Sequence, residues 1–140
     1  MRLTRYTDYS LRVLIYLAAR GDEPASIQDI AKAYGISYNH LMKVVNALAH
    51  HGFVETTRGR KGGIRLAHPA AKIGVGDVVR KTEDGMDLAE CGSCVIAPAC
   101  GLTPVLAKGV NAMLRVFDDY TIADFMTKRR QLAAALDAAA

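Results

Sequence analysis

Apolar residues in the first twenty positions recur at Leu11, Leu14, Ile15, Leu17 and Ala18, close to the spacing that lines one face of an α-helix. A first helix is predicted to reach Arg20, capped by Thr7 or Asp8 and broken by Gly21-Asp22-Glu23-Pro24. Ser26 then opens Ser-Ile-Gln-Asp, a serine with an acid three residues on, which is the pattern of a capping box with Asp for the usual Glu. The second helix is short and stops at Gly35. Ser37 is a good N-cap for a third helix, in which Leu41, Val44, Val45 and Leu48 form one apolar face. Polar residues occupy the rest of it until Gly52.

The period then changes from helical to extended. Phe53 to Thr57 reads as a strand and Gly63 to Leu66 as its return, around a tip of Arg58-Gly59-Arg60-Lys61-Gly62. A short helix, a glycine turn, a second helix with a polar face and a β-hairpin together describe a winged helix-turn-helix. Further on, Val75, Val78 and Val79 mark another helix to about Glu83. Pro104 suits a first helical position, and Leu106, Val110, Met113, Leu114 and Phe117 line a long helix to about Tyr120. Thr121 and Asp124 repeat the cap pattern and open a last helix. The fold expected is mainly α with a small β-wing. It divides into a winged helix-turn-helix over residues 1–80, a cysteine loop over 81–103, and the long and C-terminal helices over 104–140.

Charge adds a direction to this picture. Residues 1–66 hold ten Lys/Arg and five Asp/Glu, whereas residues 67–140 hold eight and nine. The whole excess lies in the winged half, which points to a polyanion partner, nucleic acid before membrane, and together with the helix-turn-helix to double-stranded DNA. Ser37, Tyr38, Asn39, His40 and Lys43 are the candidate contacts on the third helix, with Asn39 suited to adenine and Lys43 to guanine or phosphate. Arg58, Arg60 and Lys61 on the wing tip suit phosphates or the narrow minor groove. The run Val13 to Ala19 is too short to span a membrane and lacks a cleavage site, so a cytoplasmic protein is expected. No nucleophile–base constellation or glycine-rich nucleotide loop suggests an enzyme.

The three cysteines, Cys91, Cys94 and Cys100, stand within ten residues. In a reducing compartment such a cluster points to metal or redox chemistry rather than disulfides. Thiolates are soft ligands for zinc, copper(I) or iron–sulfur clusters. The run is C-x2-C-x5-C; the second C-x2-C pair of many zinc sites is missing, and His40, His50, His51 and His68 all precede the segment. Three local thiols plus one distant ligand suit a cubane iron–sulfur cluster, with Gly92, Ser93 and the Ala97-Pro98-Ala99 run letting the loop wrap and offer backbone N–H groups to the sulfides. Structural zinc and a thiol switch stay open on this chemistry.

The opening MRLTRYTDYSLRVLIYLA, the segment IAKAYGISYNHLMKVVNAL, the wing RGRKGGIRLA, the stretch IGVGDVVR and the cysteine loop before a long helix resemble the Rrf-type winged-helix regulators of bacteria. YTDYSLRVLIY and TIADF are most similar to its NsrR-like branch, the nitric-oxide-sensing repressors. The resemblance implies a homodimer held by the helix over 104–120 and a pseudo-palindromic operator. It also implies a 4Fe–4S cluster on Cys91, Cys94, Cys100 and Asp8 of the partner subunit, with nitric oxide as effector. A 2Fe–2S cluster or zinc is the alternative cofactor, because the gap between the first two cysteines is shorter than in many members. Thr103 stands where relatives that sense cluster supply carry histidine, which argues against that branch; an iron-responsive branch also uses three cysteines.

Overall fold

The computed structural model describes residues 2–59 and 62–140. Helix α1 spans Arg5–Arg20, α2 Ile27–Tyr34 and α3 Tyr38–His50. Strands β1 (Val54–Thr57) and β2 (Gly63–Leu66) pair antiparallel, with Val54 opposite Leu66 and Thr57 opposite Gly63. Helix α4 covers Val75–Thr82, α5 Leu102–Asp118 and α6 Arg129–Ala139. Val13, Leu14 and Leu17 of α1 meet Ile30 of α2 and Leu41, Val45 and Leu48 of α3 in one buried core. On α3 the expected Leu41, Val44, Val45 and Leu48 are all withdrawn from water, the main favourable contribution to folding. On α1 Leu14, Leu17 and Ala18 are buried as expected, but Leu11 and Ile15 are only half-buried, and Val13, Tyr16 and Ala19 are buried as well. A second cluster joins Val75 and Val79 of α4 to Leu114 of α5.

The wing is anchored as well as paired. Ala25, in the turn before α2, exchanges both backbone hydrogen bonds with Ile64 at 2.9 and 2.8 Å. The hairpin therefore rests on the turn before the helix-turn-helix rather than on its own two strands, which alone are marginal.

The predicted cap of α1 is corrected. Thr4, in extended backbone, accepts from the Thr7 N–H at 3.3 Å, so the helix starts one turn earlier. Thr7 is buried, and its hydroxyl accepts from that of Thr82 on α4 at 2.9 Å. The Thr4 N–H donates to Glu83 Oε1 at 2.7 Å. These bonds join the start of α1 to the end of α4, the stem of the cysteine loop. Thr82→Val removes the donor to Thr7 inside a buried site. It is expected to cost about 1–3 kcal/mol, read by urea unfolding. Replacing Thr7 by Val as well should restore part of it, because both ends of the bond then become apolar.

Helix α5 starts at Leu102 rather than Pro104; a proline in the first turn is tolerated because the N–H it lacks would have no helical partner. The predicted last helix is split. The Thr121–Asp124 capping box forms but opens a 3₁₀ turn over Ile122–Met126, and α6 begins only after Lys128, whose φ of −112° and ψ of 40° are not helical. The Ile122 N–H donates to the Ile73 carbonyl at 3.0 Å and the buried Ile122 side chain joins the main core, so tertiary bonds override the local helical pattern. Helix α6 folds back on α1 and α2: Leu136 is buried, Arg129 Nε donates to the Ala19 carbonyl at 2.9 Å, and Arg20 pairs with Asp137.

Candidate functional site

The turn between α2 and α3 sets how α3 is presented. Gly35 sits at φ 63° and ψ 34°, the left-handed conformation that costs a residue with a Cβ but not glycine. The Ile36 N–H donates to the Ala31 carbonyl at 3.0 Å and closes the turn. Beyond it, Leu41, Val44, Val45 and Leu48 anchor α3 to the core, so its remaining face must look outward. Ser37, Tyr38, Asn39, His40 and Lys43 are all exposed there. Ser37 does stand at the N-cap, but its hydroxyl makes no cap hydrogen bond, which leaves it available to another partner.

Arg58 is exposed at the start of the wing tip. Arg60 and Lys61 lie outside the described residues. Arg65, one strand away, is committed to Glu55 across the sheet at 2.5 Å. The outward face of α3 and the wing thus expose polar and cationic groups of the kinds that can hydrogen-bond base edges and phosphates.

The cysteine loop is built from two tight turns, Cys91–Ser93 and Ala97–Ala99. Cys91 and Cys100 are half-buried, Cys94 is exposed, and all three are free thiols. The expectation that the loop leaves its backbone donors for a ligand is partly overturned. The N–H groups of Cys94, Ala97 and Cys100 donate to the carbonyls of Cys91, Cys94 and Ala97 at 3.2, 3.1 and 3.3 Å. Local turn closure uses donors that the sequence leaves unassigned.

Asp8 stands elsewhere. With Thr4 as the cap, its carboxylate has no capping duty; it accepts from Arg12 Nε at 2.8 Å and is partly exposed. That bond raises the Arg12 pKa above its ordinary value. The Arg12 guanidinium also lies over the Tyr34 ring, 5.7 Å from its centroid, and the Tyr34 hydroxyl donates to the Arg12 carbonyl at 3.1 Å. Burial pushes the Tyr34 phenol up to about 12 against the opposing pull of Arg12. Asp8, Arg12, Tyr34 and Gly35 line one groove of about 570 Å³, whereas Cys91 lines another of about 230 Å³ against α5. Among the described residues, no three His, Cys, Asp or Glu side chains are gathered as a metal site within the one chain. The three unpaired thiols on one loop are donors that suit a soft metal centre, whereas the Asp8 carboxylate is paired with Arg12 in the other groove.

The long helix carries an uncovered apolar surface. Leu102, Val105 and Val116 remain 53, 59 and 55% exposed, and of the α5 side chains only Leu114 is buried. No helix among the described residues is long and apolar enough to cross a membrane.

Residues 3–128 match the Rrf2 family, described as an iron-dependent transcriptional regulator. The chain is 51% identical over 138 residues to the HTH-type transcriptional regulator NsrR of Bacillus subtilis (strain 168), covering 94% of each. It is 46% identical over 142 residues to the protein of that name from Geobacillus kaustophilus (strain HTA426), covering 97% of each. Among solved structures it is similar to IscR of T. potens, with a TM-score of 0.76, 26% identity and coverage of 91% of this chain and 88% of that one. It is also similar to CymR, the global cysteine regulator of B. subtilis, with a TM-score of 0.70, 25% identity and coverage of 91% and 98%.

Proposed function

Because the chain belongs to the Rrf2 family of transcriptional regulators and is no enzyme, we propose that it is a dimeric DNA-binding repressor under iron–sulfur control. Its hold on a pseudo-palindromic operator is set by a cluster on the cysteine loop and released by nitric oxide. Residues 1–80 read DNA, residues 81–103 carry the cofactor, and the exposed apolar face of α5 supports pairing of two copies through the segment that follows. Cys91, Cys94 and Cys100 hold the cluster, a 4Fe–4S cluster by resemblance, with Asp8 of the partner subunit as fourth ligand. Such a cofactor supplies a site reactive toward nitric oxide at its carboxylate-bound corner, the weakest donor of the four.

What carries the proposal is the position of Asp8. Its carboxylate is exposed and joined through Arg12 and Tyr34 to the turn that aims α3. A carboxylate engaged across the dimer leaves Arg12, and a carboxylate released returns to it. Either event changes what Arg12 does beside Tyr34, one residue from Gly35. Two reading heads must keep a fixed separation to fit two half-sites, so a small rotation of each costs much of the affinity. The effector acts by differential binding to the two states, as linkage requires.

The test is titration of anaerobically prepared protein with nitric oxide, followed by absorption and DNA retardation together. A brown protein with iron and sulfide that releases DNA as its spectrum changes is the expected result. Equal binding by protein stripped of its cofactor overturns the proposal. Colourless protein with stoichiometric zinc favours the zinc or thiol alternative. The family description favours one further reading, an iron-responsive regulator; there, iron withdrawal rather than nitric oxide releases the DNA. Asp8→Ala should keep its iron on three thiolates yet lose the coupling, so the release factor falls from about 5–150-fold to near unity. An Asp8→Ala protein that releases DNA like the parent removes the carboxylate from the mechanism.

A further inference from the structure

On the outward side of α3 two large apolar side chains stand in water one turn apart. Tyr38 is 44% exposed and Met42 38% exposed. Met42 is flanked by the buried Leu41 and the exposed Lys43, so it sits at the edge of the polar face rather than at the core seam. Residues four apart on a helix lie one above the other, which makes Tyr38 and Met42 a single apolar strip beside Asn39, Lys43 and Asn46. All three of these polar neighbours are exposed as well. Among the described residues, both side chains of the strip keep more than a third of their surface open.

The surroundings define what kind of partner suits the strip. Lys43 beside the strip and Arg58 on the wing favour a polyanion over an apolar protein surface. In the major groove one feature of a base edge is apolar, the C5-methyl group of thymine. We propose that Met42, flanked by Tyr38, determines operator specificity by packing on thymine C5-methyl groups, while the neighbouring polar residues bond base edges and phosphates. The inference rests on the reading of α3 as the DNA-recognition helix. Methionine suits the task because its flexible, polarisable thioether fills an irregular apolar surface. Burying one methyl on it is worth about fourfold in affinity for each half-site.

The probe is the tightest duplex selected by the anaerobically prepared full-length protein from a random library, together with copies in which each thymine in turn is replaced by uracil. Uracil removes the methyl and leaves the hydrogen-bonding edge intact. The parent is expected to lose about fourfold at one or two thymines in each half-site. Met42→Ala is expected to bind the parent duplex more weakly and to show no loss at those same thymines. Met42→Leu should keep the uracil penalty, and Met42→Gln, of similar length but polar, should lose it. Uracil penalties equal in parent and Met42→Ala, or no thymine whose methyl is sensed, overturn the inference while leaving DNA recognition by α3 standing. A parent that selects no sequence overturns both.

Discussion

Cys94→Ala, prepared without oxygen, is expected to come off the column colourless, to hold little iron or sulfide, and to bind its operator about 5- to 150-fold more weakly than the parent. The range is that of an ordinary coupling energy between two sites. Cys94 is the sharpest of the three positions to alter because it is exposed in this fold and contributes no buried packing. Without a cluster, truncating such an exposed side chain is expected to change stability by less than about 0.5 kcal/mol. The variant and the cofactor-stripped parent should therefore unfold alike, which separates loss of DNA binding from unfolding. Cys91 and Cys100 are half-buried, and Cys91 lines a groove together with Leu106 and Val110 of α5, so their loss removes partly buried surface. The measurement pairs metal content with DNA retardation and an unfolding curve. A Cys94→Ala protein without iron that still binds the operator at full strength severs the loop from DNA recognition. One that keeps its iron removes Cys94 from the ligand set.

The coupling this prediction draws on runs through the ends of two helices. The loop departs from α4, whose Thr82 and Glu83 are bonded to Thr7 and Thr4 at the start of α1. One turn further on, Asp8 and Arg12 lead to Tyr34 and the recognition turn. The loop and α3 are thus joined within the chain through the first turn of α1; the proposed engagement of Asp8 by a second copy would add another route that also meets in α1. On the proposed function, such a layout would let an event at an exposed loop be felt at α3 without the loop touching it.

Much of this was legible in the sequence where a local rule decides. Gly35 ends α2 because a helix exit there needs a left-handed residue, and Ser26 with Asp29 forms its capping box within four residues. The buried stripe of α3 follows from period alone, and with it the exposure of Ser37, Tyr38, Asn39, His40 and Lys43. The misses are decided by partners far along the chain. Thr7 has the residue type of a cap but is buried against Thr82, 75 residues away. The start of α6 is delayed because Ile122 bonds to Ile73. The Asp8–Arg12 pair was visible as an i, i+4 spacing, yet its continuation to Tyr34 requires α1 and α2 to be packed. Met42 is not legible in the sequence, because an exposed methionine is indistinguishable from a core one until burial is known.

Gly63→Val is expected to destabilise the fold by about 3 kcal/mol, to lower the melting temperature by about 10 °C, and to weaken operator binding at temperatures where the protein is still folded. The cause is space rather than backbone strain. A Cβ at residue 63 would stand 2.7 Å from the Ala25 carbonyl oxygen and 3.1 Å from Pro24 Cβ. That oxygen cannot yield freely, because it accepts the Ile64 N–H at 2.8 Å while the Ala25 N–H donates to Ile64 at 2.9 Å. The substituted strand must therefore lift off, exposing two backbone hydrogen bonds and uncovering Ile64, which is only 3% exposed. Lifting the strand also re-aims the tip that carries Arg58, so fewer phosphates are neutralised and the slope of log affinity against log salt becomes shallower. Arg65→Ala is the control on the same strand. It removes only the exposed pair with Glu55, and it is expected to cost less than about 1 kcal/mol and leave the wing in place. If Gly63→Val melts and binds like the parent, the wing does not rest on the turn before α2, and its aim must be set by the strands alone.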